Sequence, residues 1–249
     1  MSSDAPSAAP WLAGADGCRT GWVVAFVRRS GDDVRVRIEP RFADILAAPE
    51  RPAIVAVDMP IGLPARAGHG GRGPENVVRP LLGQRQSSVF SVPSRRAIYA
   101  DDYPTACRIA LETSDPPRKV SKQLFMIAPK IREIDAVLRA DAGAAARVFE
   151  VHPELAFWRL NGERALAEPK KVKGTPYAPG LALRRELLVG AGIPAAVAHA
   201  PQPRGAAADD LLDALACATI ARRLHAGLAQ PFPPAFQHDE FGLPMAIWA

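Results

Sequence analysis

The chain opens with two short apolar runs that have the pattern of paired strands. Trp11–Asp16 is apolar up to its last residue, and residues 20–27 are rich in aromatic and β-branched side chains. Gly17 and Gly21 bracket the residues between the two runs, as expected for a tight turn. We therefore predict an antiparallel strand pair, with the carboxyl group of Asp16 inside the sheet.

The following segments continue the sheet. Residues 34–38 alternate valine or isoleucine with arginine, which predicts a half-exposed third strand after a turn at Asp32 and Asp33. Residues 53–58 form an apolar run that ends in Asp58, as in a strand buried on both faces of a parallel sheet. Residues 146–151 predict another short strand, which carries Glu150 near its end.

Helical spacing appears mainly in the second half of the chain. It predicts helices at 41–48, 75–82, 104–112, 121–140, 153–159, 181–190 and 207–228. Apart from its short helix, the segment 65–103 has the composition of a loop, and residues 170–180 form a basic loop punctuated by proline and glycine.

Composition limits the class of protein. The chain has 249 residues, 48% hydrophobic and 23% charged, which is typical of a globular α/β protein. We see no internal repeat or linker, so we expect a disordered tail at 1–10 and one domain at 11–249, with a loop-rich and helical insertion around 65–145. No signal peptide or membrane span is expected, and three isolated cysteines favour a cytoplasmic location. The net charge of +5 is compatible with a nucleic-acid partner, DNA or RNA.

Acidic residues stand at places where a structural role is hard to assign. Asp16, Asp58 and Glu150 lie at strand ends, where ligands gather in open α/β sheets. Asp210 and Asp213 lie at the start of the last helix, on the face that should meet the sheet. Helix capping accounts for neighbouring Asp209 but poorly for an acid one turn further on. Carboxylates brought together repel one another unless cations hold them, so we predict a site for Mg²⁺ or Mn²⁺.

Several ordered motifs between about Gly14 and Arg223 resemble the family called domain of unknown function 429. They are the stretches 14–22, 57–64, 82–90, 122–125, 150–154 and 209–214. That family is described as a predicted nuclease of the ribonuclease H-like fold. The resemblance implies a mixed sheet, in which an antiparallel three-strand meander is followed by parallel strands, with helices on both faces. One departure is that Glu75-Asn-Val-Val-Arg79 stands where an acidic Cys-Asp pair is expected.

The resemblance also implies roles for the acids. Asp16, Asp58 and Asp213 match the metal-binding positions of the larger superfamily, and Asp210 is a fourth candidate. Glu150 has no clear counterpart. We expect Asp16 to bridge two ions, Asp58 and Asp213 to complete the cluster, and Asp210 or Glu150 to hold a ligand or orient the attacking water.

Candidate substrate contacts come from the basic and hydroxyl residues of the middle segment and from one histidine. They are Arg85, Ser87, Ser88, Arg95, Lys122 and His152. Each also has an ordinary local role, in a solvated loop or at a helix start, that would explain it without a substrate.

We therefore expect a metal-dependent nuclease that hydrolyses phosphodiester bonds by a two-metal mechanism. Two alternatives stay open. One is a non-catalytic nucleic-acid-binding or regulatory protein. The other, an ATP-using kinase-like enzyme, is disfavoured because such folds usually need two duplicated domains, and no repeat is visible in the sequence.

Overall fold

The computed structural model describes residues 9–30 and 33–249. Five strands form the central sheet: β1 (Trp11–Cys18), β2 (Gly21–Arg28), β3 (Val34–Glu39), β4 (Val55–Val57) and β5 (Val148–Glu150). Their order across the sheet is β3-β2-β1-β4-β5, in which β1 to β3 are antiparallel while β4 and β5 run parallel to β1. This mixed sheet has the predicted ribonuclease H-like arrangement. Most of the predicted tail at 1–10, and Asp32 of the predicted turn, lie outside the described residues.

Helix α10 (Ala208–His225) lies directly against β1. Gly14 makes this approach possible, because a Cβ atom at that position would come within 2.0 Å of the Ala218 nitrogen and 2.2 Å of the Ala214 oxygen. Every residue from Leu211 to Ala221 is buried, so the helix runs through the core rather than along the surface. This close contact fixes the position of α10 along β1, and therefore its position relative to the strand ends.

Each face of the sheet is covered by its own hydrophobic core. One face packs against α10, α7 (Pro153–Leu160) and α8 (Ala178–Gly190), and the other packs against α1 (Phe42–Leu46) and α5 (Lys122–Ala140). Successive side chains of β1 and β2 point to opposite faces, as the pleat requires. The expected helices on both faces are confirmed.

The middle segment contains more helix than the sequence predicts. Helix α2 (Gly73–Val78) continues as a 3₁₀ segment (Arg79–Ser88), which bends at Gly83, where φ is 51°. The predicted helix at 75–82 therefore begins earlier and extends further in a tighter form. The short helices α3 (Arg95–Ile98), α4 (Tyr103–Glu112) and α6 (Ala142–Ala145) complete this segment.

The remaining elements are small. The hairpin of β6 (Lys171–Val172) and β7 (Thr175–Pro176) lies within the predicted basic loop, and α9 (Ala195–Ala198) precedes α10. A second hairpin is formed by β8 (Pro231–His238) and β9 (Pro244–Trp248). It was not predicted, because the prolines of β8 are typical of a loop rather than a strand. Among the described residues, no helix is both long enough and apolar enough to cross a membrane.

Candidate metal centre

Three carboxylates from distant parts of the chain meet at one edge of the sheet. Asp16 lies in β1, Asp58 directly follows β4, and Asp213 lies in the second turn of α10. One ligand atom from each lies within 4.8 Å of the others. We call these three residues the acidic cluster.

The register of the sheet explains why the cluster forms. Because β1 and β4 are parallel with Ala15 opposite Val57, the acids that follow these two residues stand side by side. The Asp58 N–H also donates to the Ala15 carbonyl at 3.0 Å, which continues the ladder past the end of β4. Helix α10, held close to β1 by Gly14, then supplies the third carboxylate.

Burial and mutual repulsion disfavour the ionised forms of the cluster. Burial, followed by the charges of Asp58 and Asp213, raises the pKa of Asp16 well above its ordinary value. The same two causes, burial and then the charge of Asp213, raise the pKa of Asp58 to about 8. Burial also raises the pKa of Asp213 to about 6, although Lys170 opposes that rise. These carboxylates therefore lack sufficient positive charge around them.

Lysines that precede and begin β6 supply the nearest positive charges. The Lys170 ammonium contacts Asp213 and lies 3.8 Å from Asp209, while Lys171 lies 2.7 Å from Asp209. Burial lowers the pKa of Lys170, but Asp213, Asp16 and Asp209 together raise it above its ordinary value. In the sequence these lysines are only part of a basic loop, and no local pattern signals a contact between residues 43 positions apart.

The donor set of the cluster fits a hard divalent cation. All three ligands are carboxylates, and the buried Oδ1 atoms of Asp213 and Asp209 have no hydrogen-bond partner among the described residues. A buried carboxylate oxygen without a partner is costly, and oxygen ligands are those that Mg²⁺ and Mn²⁺ prefer. Burial raises the pKa of the adjacent Cys217 thiol, and the nearby acids raise it further.

The other two candidate acids have partners of their own. Glu150 accepts from the Ile61 N–H at 2.7 Å and from Arg72 at 2.6 and 3.1 Å. Burial raises the pKa of Glu150 to about 7, while Arg72 acts to lower it. Asp210 accepts from the Ala207 N–H at 2.8 Å, as a capping residue does, and also lines the cavity described next. Asp210, rather than Asp209, therefore makes the capping bond of α10.

Two residues of the acidic cluster, Asp16 and Asp58, line a cavity of about 520 Å³ with largely apolar walls, which Lys170 also lines. These walls include Met59, Val89, Phe90, Met126, Ile127 and Val151. Met126, on α5, is 77% exposed, so the cavity has an apolar rim. The cavity combines a charged floor with walls that accept a flat apolar group.

Two candidate substrate residues reach this cavity. Ser88 donates to the Arg85 carbonyl at 2.8 Å, and His152 Nε2 lies 3.3 Å from the Ser88 carbonyl. Burial lowers the pKa of His152, so its ring is neutral at pH 7. Lys130, which was not a candidate, also lines the cavity and donates to the Gly21 carbonyl at 2.6 Å.

The remaining candidates lie elsewhere. Arg95 is buried and forms ion pairs with Asp135 and Asp239, which tie the β8–β9 connection to α5. Three others contribute little to the cavity. Ser87 is exposed and lines a neighbouring cavity. The Arg85 guanidinium lies 3.5 Å from the side-chain oxygen of Gln84, and the Lys122 ammonium lies 6.0 Å from the ring centre of Tyr103. The structure thus brings Ser88 and His152 to the acids and leaves Arg95 as part of the core.

Comparison with known proteins gives one match. A family model described as "Protein of unknown function (DUF429)" matches residues 14–238. This span includes every residue of the acidic cluster, together with Lys170 and the helices that position them. No curated protein and no solved structure matches the chain.

Proposed function

The chain belongs to the DUF429 family, and we propose from the site that it is a metal-dependent phosphodiester hydrolase that acts on nucleic acid. One observation carries the proposal. Asp16, Asp58 and Asp213 place ligand atoms within 4.8 Å of one another, and Asp16 and Asp58 line a substrate-sized cavity. Asp16, Asp58 and Asp213 would hold Mg²⁺ or Mn²⁺.

The chemistry of the site suits a phosphate ester. A bound divalent ion polarises phosphoryl oxygens and makes water a better nucleophile at neutral pH. The protein itself adds the Lys170 ammonium, which lines the same cavity and, once a metal ion balances the aspartates, would face an anionic ligand. The apolar walls around Phe90 and Met126 suit the flat face of a nucleobase.

Lys170 also favours a second function. Its ammonium already neutralises part of the cluster, so the folded chain has a cation there without any metal. This second candidate is a protein that binds nucleic acid without cutting it. The two functions differ in whether metal and Asp16 are required.

The deciding experiment is a cleavage assay. The wild type and Asp16→Asn would be incubated with labelled single-stranded, duplex, hybrid and branched nucleic acids, in Mg²⁺, Mn²⁺ or EDTA. We expect metal-dependent cleavage that falls by about 10³-fold in Asp16→Asn, as for a disrupted metal site. Asp101→Asn, the same change at an exposed position, is the matched control and should retain full activity.

Two results would contradict the hydrolase. One is no cleavage of any substrate by the wild type with either metal, and the other is equal cleavage by Asp16→Asn. Binding of the same nucleic acids in EDTA, unchanged in Asp16→Asn, would then identify the non-catalytic binding protein.

A further inference from the structure

A second cavity, of about 690 Å³, lies beside the first and has the opposite character. Its lining is mostly polar and includes Arg79, Arg118, Lys119, Asn76, Ser87 and Ser121. No aspartate or glutamate among the described residues lines it. We call it the basic cavity.

The cations of the basic cavity lack acidic partners. Within residues 9–30 and 33–249, no salt bridge joins Arg79, Arg118 or Lys119 to a carboxylate. Burial lowers the pKa of Arg79, and the like charge of Arg118 lowers it further, against the opposing effect of Glu75. Like charges that face one cavity without compensation favour an anion between them.

The Arg79 guanidinium is held in a defined position. Its Nε donates to the Val89 carbonyl at 3.2 Å, and its Nη2 donates to the Ser91 hydroxyl at 2.9 Å. A fixed guanidinium loses little freedom when it binds an oxyanion, and its planar fork matches phosphate geometry.

The start of helix α5 adds to the same field. Ser121 caps this 19-residue helix by accepting from the Leu124 N–H at 3.2 Å, and both Ser121 and Gln123 line the cavity. The positive end of the helix dipole therefore points toward the three cations. The helix dipole adds to the side-chain charges, so the cavity has two sources of positive potential.

One short wall separates the basic cavity from the acidic cluster. Val89 and Phe90 line both cavities, and the adjacent serines divide between them, with Ser88 on the acidic side and Ser87 on the basic side. A chain of linked phosphates could thus span the wall. From this arrangement we propose that the basic cavity binds a phosphate group of the nucleic-acid strand whose cleaved phosphate lies at the acidic cluster. This inference rests on the proposed function.

The test measures binding rather than cleavage. Anisotropy of a 3′-fluorescein-labelled 12-nucleotide oligodeoxythymidine, with a 5′-hydroxyl or a 5′-phosphate, would be titrated with protein in EDTA. The variant Arg118→Gln/Lys119→Gln removes two exposed charges from the basic cavity. The control Arg29→Gln/Arg51→Gln also removes two exposed charges, so the net charge changes by the same amount. Arg29 follows β2 and Arg51 precedes β4, at the strand ends opposite to the acidic cluster.

We expect the cavity variant to bind about 10-fold more weakly than the wild type, with the control unchanged. The slope of log affinity against log salt should fall by about 0.7 for each phosphate that the variant no longer binds. A weakening confined to the 5′-phosphorylated strand identifies a terminal phosphate, whereas an equal weakening with both strands identifies an internal one.

Equal affinities of the two double variants for both oligonucleotides would overturn the proposal. The cleavage assay keeps this outcome separate from failure of the hydrolase. If the cavity variant binds more weakly but the wild type cleaves nothing, the basic cavity is a phosphate site and the hydrolase proposal is wrong. If the wild type cleaves nucleic acid and both double variants bind equally well, the hydrolase proposal stands and the basic-cavity proposal is wrong. Arg79→Lys, which keeps the charge but removes the planar fork, should weaken binding without changing the salt slope.

Discussion

Two buried groups of charges lie at the same edge of the sheet and differ in how their charge is balanced. In the first, which we call the arginine cluster, the Arg72 guanidinium lies between Glu75 and Glu150. In the second, the acidic cluster, three aspartates face one another with one lysine at the side. Arg72, Glu75 and Glu150 line the cavity of about 520 Å³, and so do Asp16 and Asp58 of the acidic cluster.

The arginine cluster is nearly complete in its hydrogen bonds. Arg72 contacts Glu75 at 2.7 Å and Glu150 at 2.6 Å, and it also donates to the carbonyls of Ile61 and Gly62 at 2.6 and 3.0 Å. The acidic cluster, by contrast, leaves Asp213 Oδ1 without a partner among the described residues. Its charges exceed what Lys170 can neutralise.

This difference separates a structural role from a binding role. Buried charges that are fully paired hold elements together, here β5 and the start of α2, and have no capacity left for a ligand. Buried like charges reduce stability and persist where something else binds them. We therefore assign Glu150 to the architecture of the site and the three aspartates to its chemistry.

The largest expected effect comes from breaking the arginine cluster. Arg72→Met leaves Glu75 and Glu150 buried without their cation, which should reduce the free energy of unfolding by about 3–5 kcal/mol. Thermal denaturation should show Tm lower by ~10 °C. Arg108→Met, which removes an exposed ion pair with Glu112, is the control and should change stability by less than ~0.5 kcal/mol. A small effect of Arg72→Met would mean that the arginine cluster is not structural.

The next effect separates the two clusters by metal binding. Mn²⁺ at about 100 times its Kd should stabilise the wild type by about 2.7 kcal/mol, a Tm rise of roughly 5–10 °C. Asp58→Asn should abolish this rise. Because it removes a carboxyl whose pKa is raised to about 8, and which therefore costs folding free energy at pH 7, it should itself be more stable than the wild type in EDTA. Glu150→Gln should lower the starting Tm but retain the rise.

The metal titration has a clear contrary result. If Glu150→Gln loses the Mn²⁺-dependent rise together with Asp58→Asn, the two clusters act as one metal site and our division between them is wrong.

The smallest effect concerns a carboxylate that is paired on the outer side of the sheet. Arg37 contacts Glu50 at 2.8 Å and holds the pKa of that carboxyl at about 2, below its usual 4.5. The ionised form of Glu50 therefore stabilises the fold above pH 4.5, and this contribution disappears as the pH falls toward 2. Because Arg37 is partly exposed, we expect Glu50→Gln to cost about 1 kcal/mol at pH 7.

Urea denaturation at several pH values checks this prediction. The difference between wild type and Glu50→Gln should shrink between pH 4.5 and 2, whereas a constant difference across that range would show that Arg37 does not stabilise the ionised carboxyl.

Sequence patterns predicted the sheet well because its strands carry their own signal. The period of two in β3 and the apolar run before Asp58 reflect local burial, which is readable without knowledge of neighbours. The helices α4, α5 and α7 were likewise predicted to within a few residues. The hairpin of β8 and β9 was missed because the pairing of these two strands with each other overrides the weak strand propensity of proline.

The sequence by itself determined which acids stand at strand and helix ends, and so which carboxylates were candidates. Only the tertiary structure decided their roles. Glu150 lies with Arg72, 78 residues earlier, and Lys170 reaches Asp213, 43 residues later. The partner of a buried charge is set by the register of the sheet and by the close approach of α10 at Gly14. These long-range distances leave no periodic trace in the chain, and they determine which charges are satisfied and which are left for a ligand.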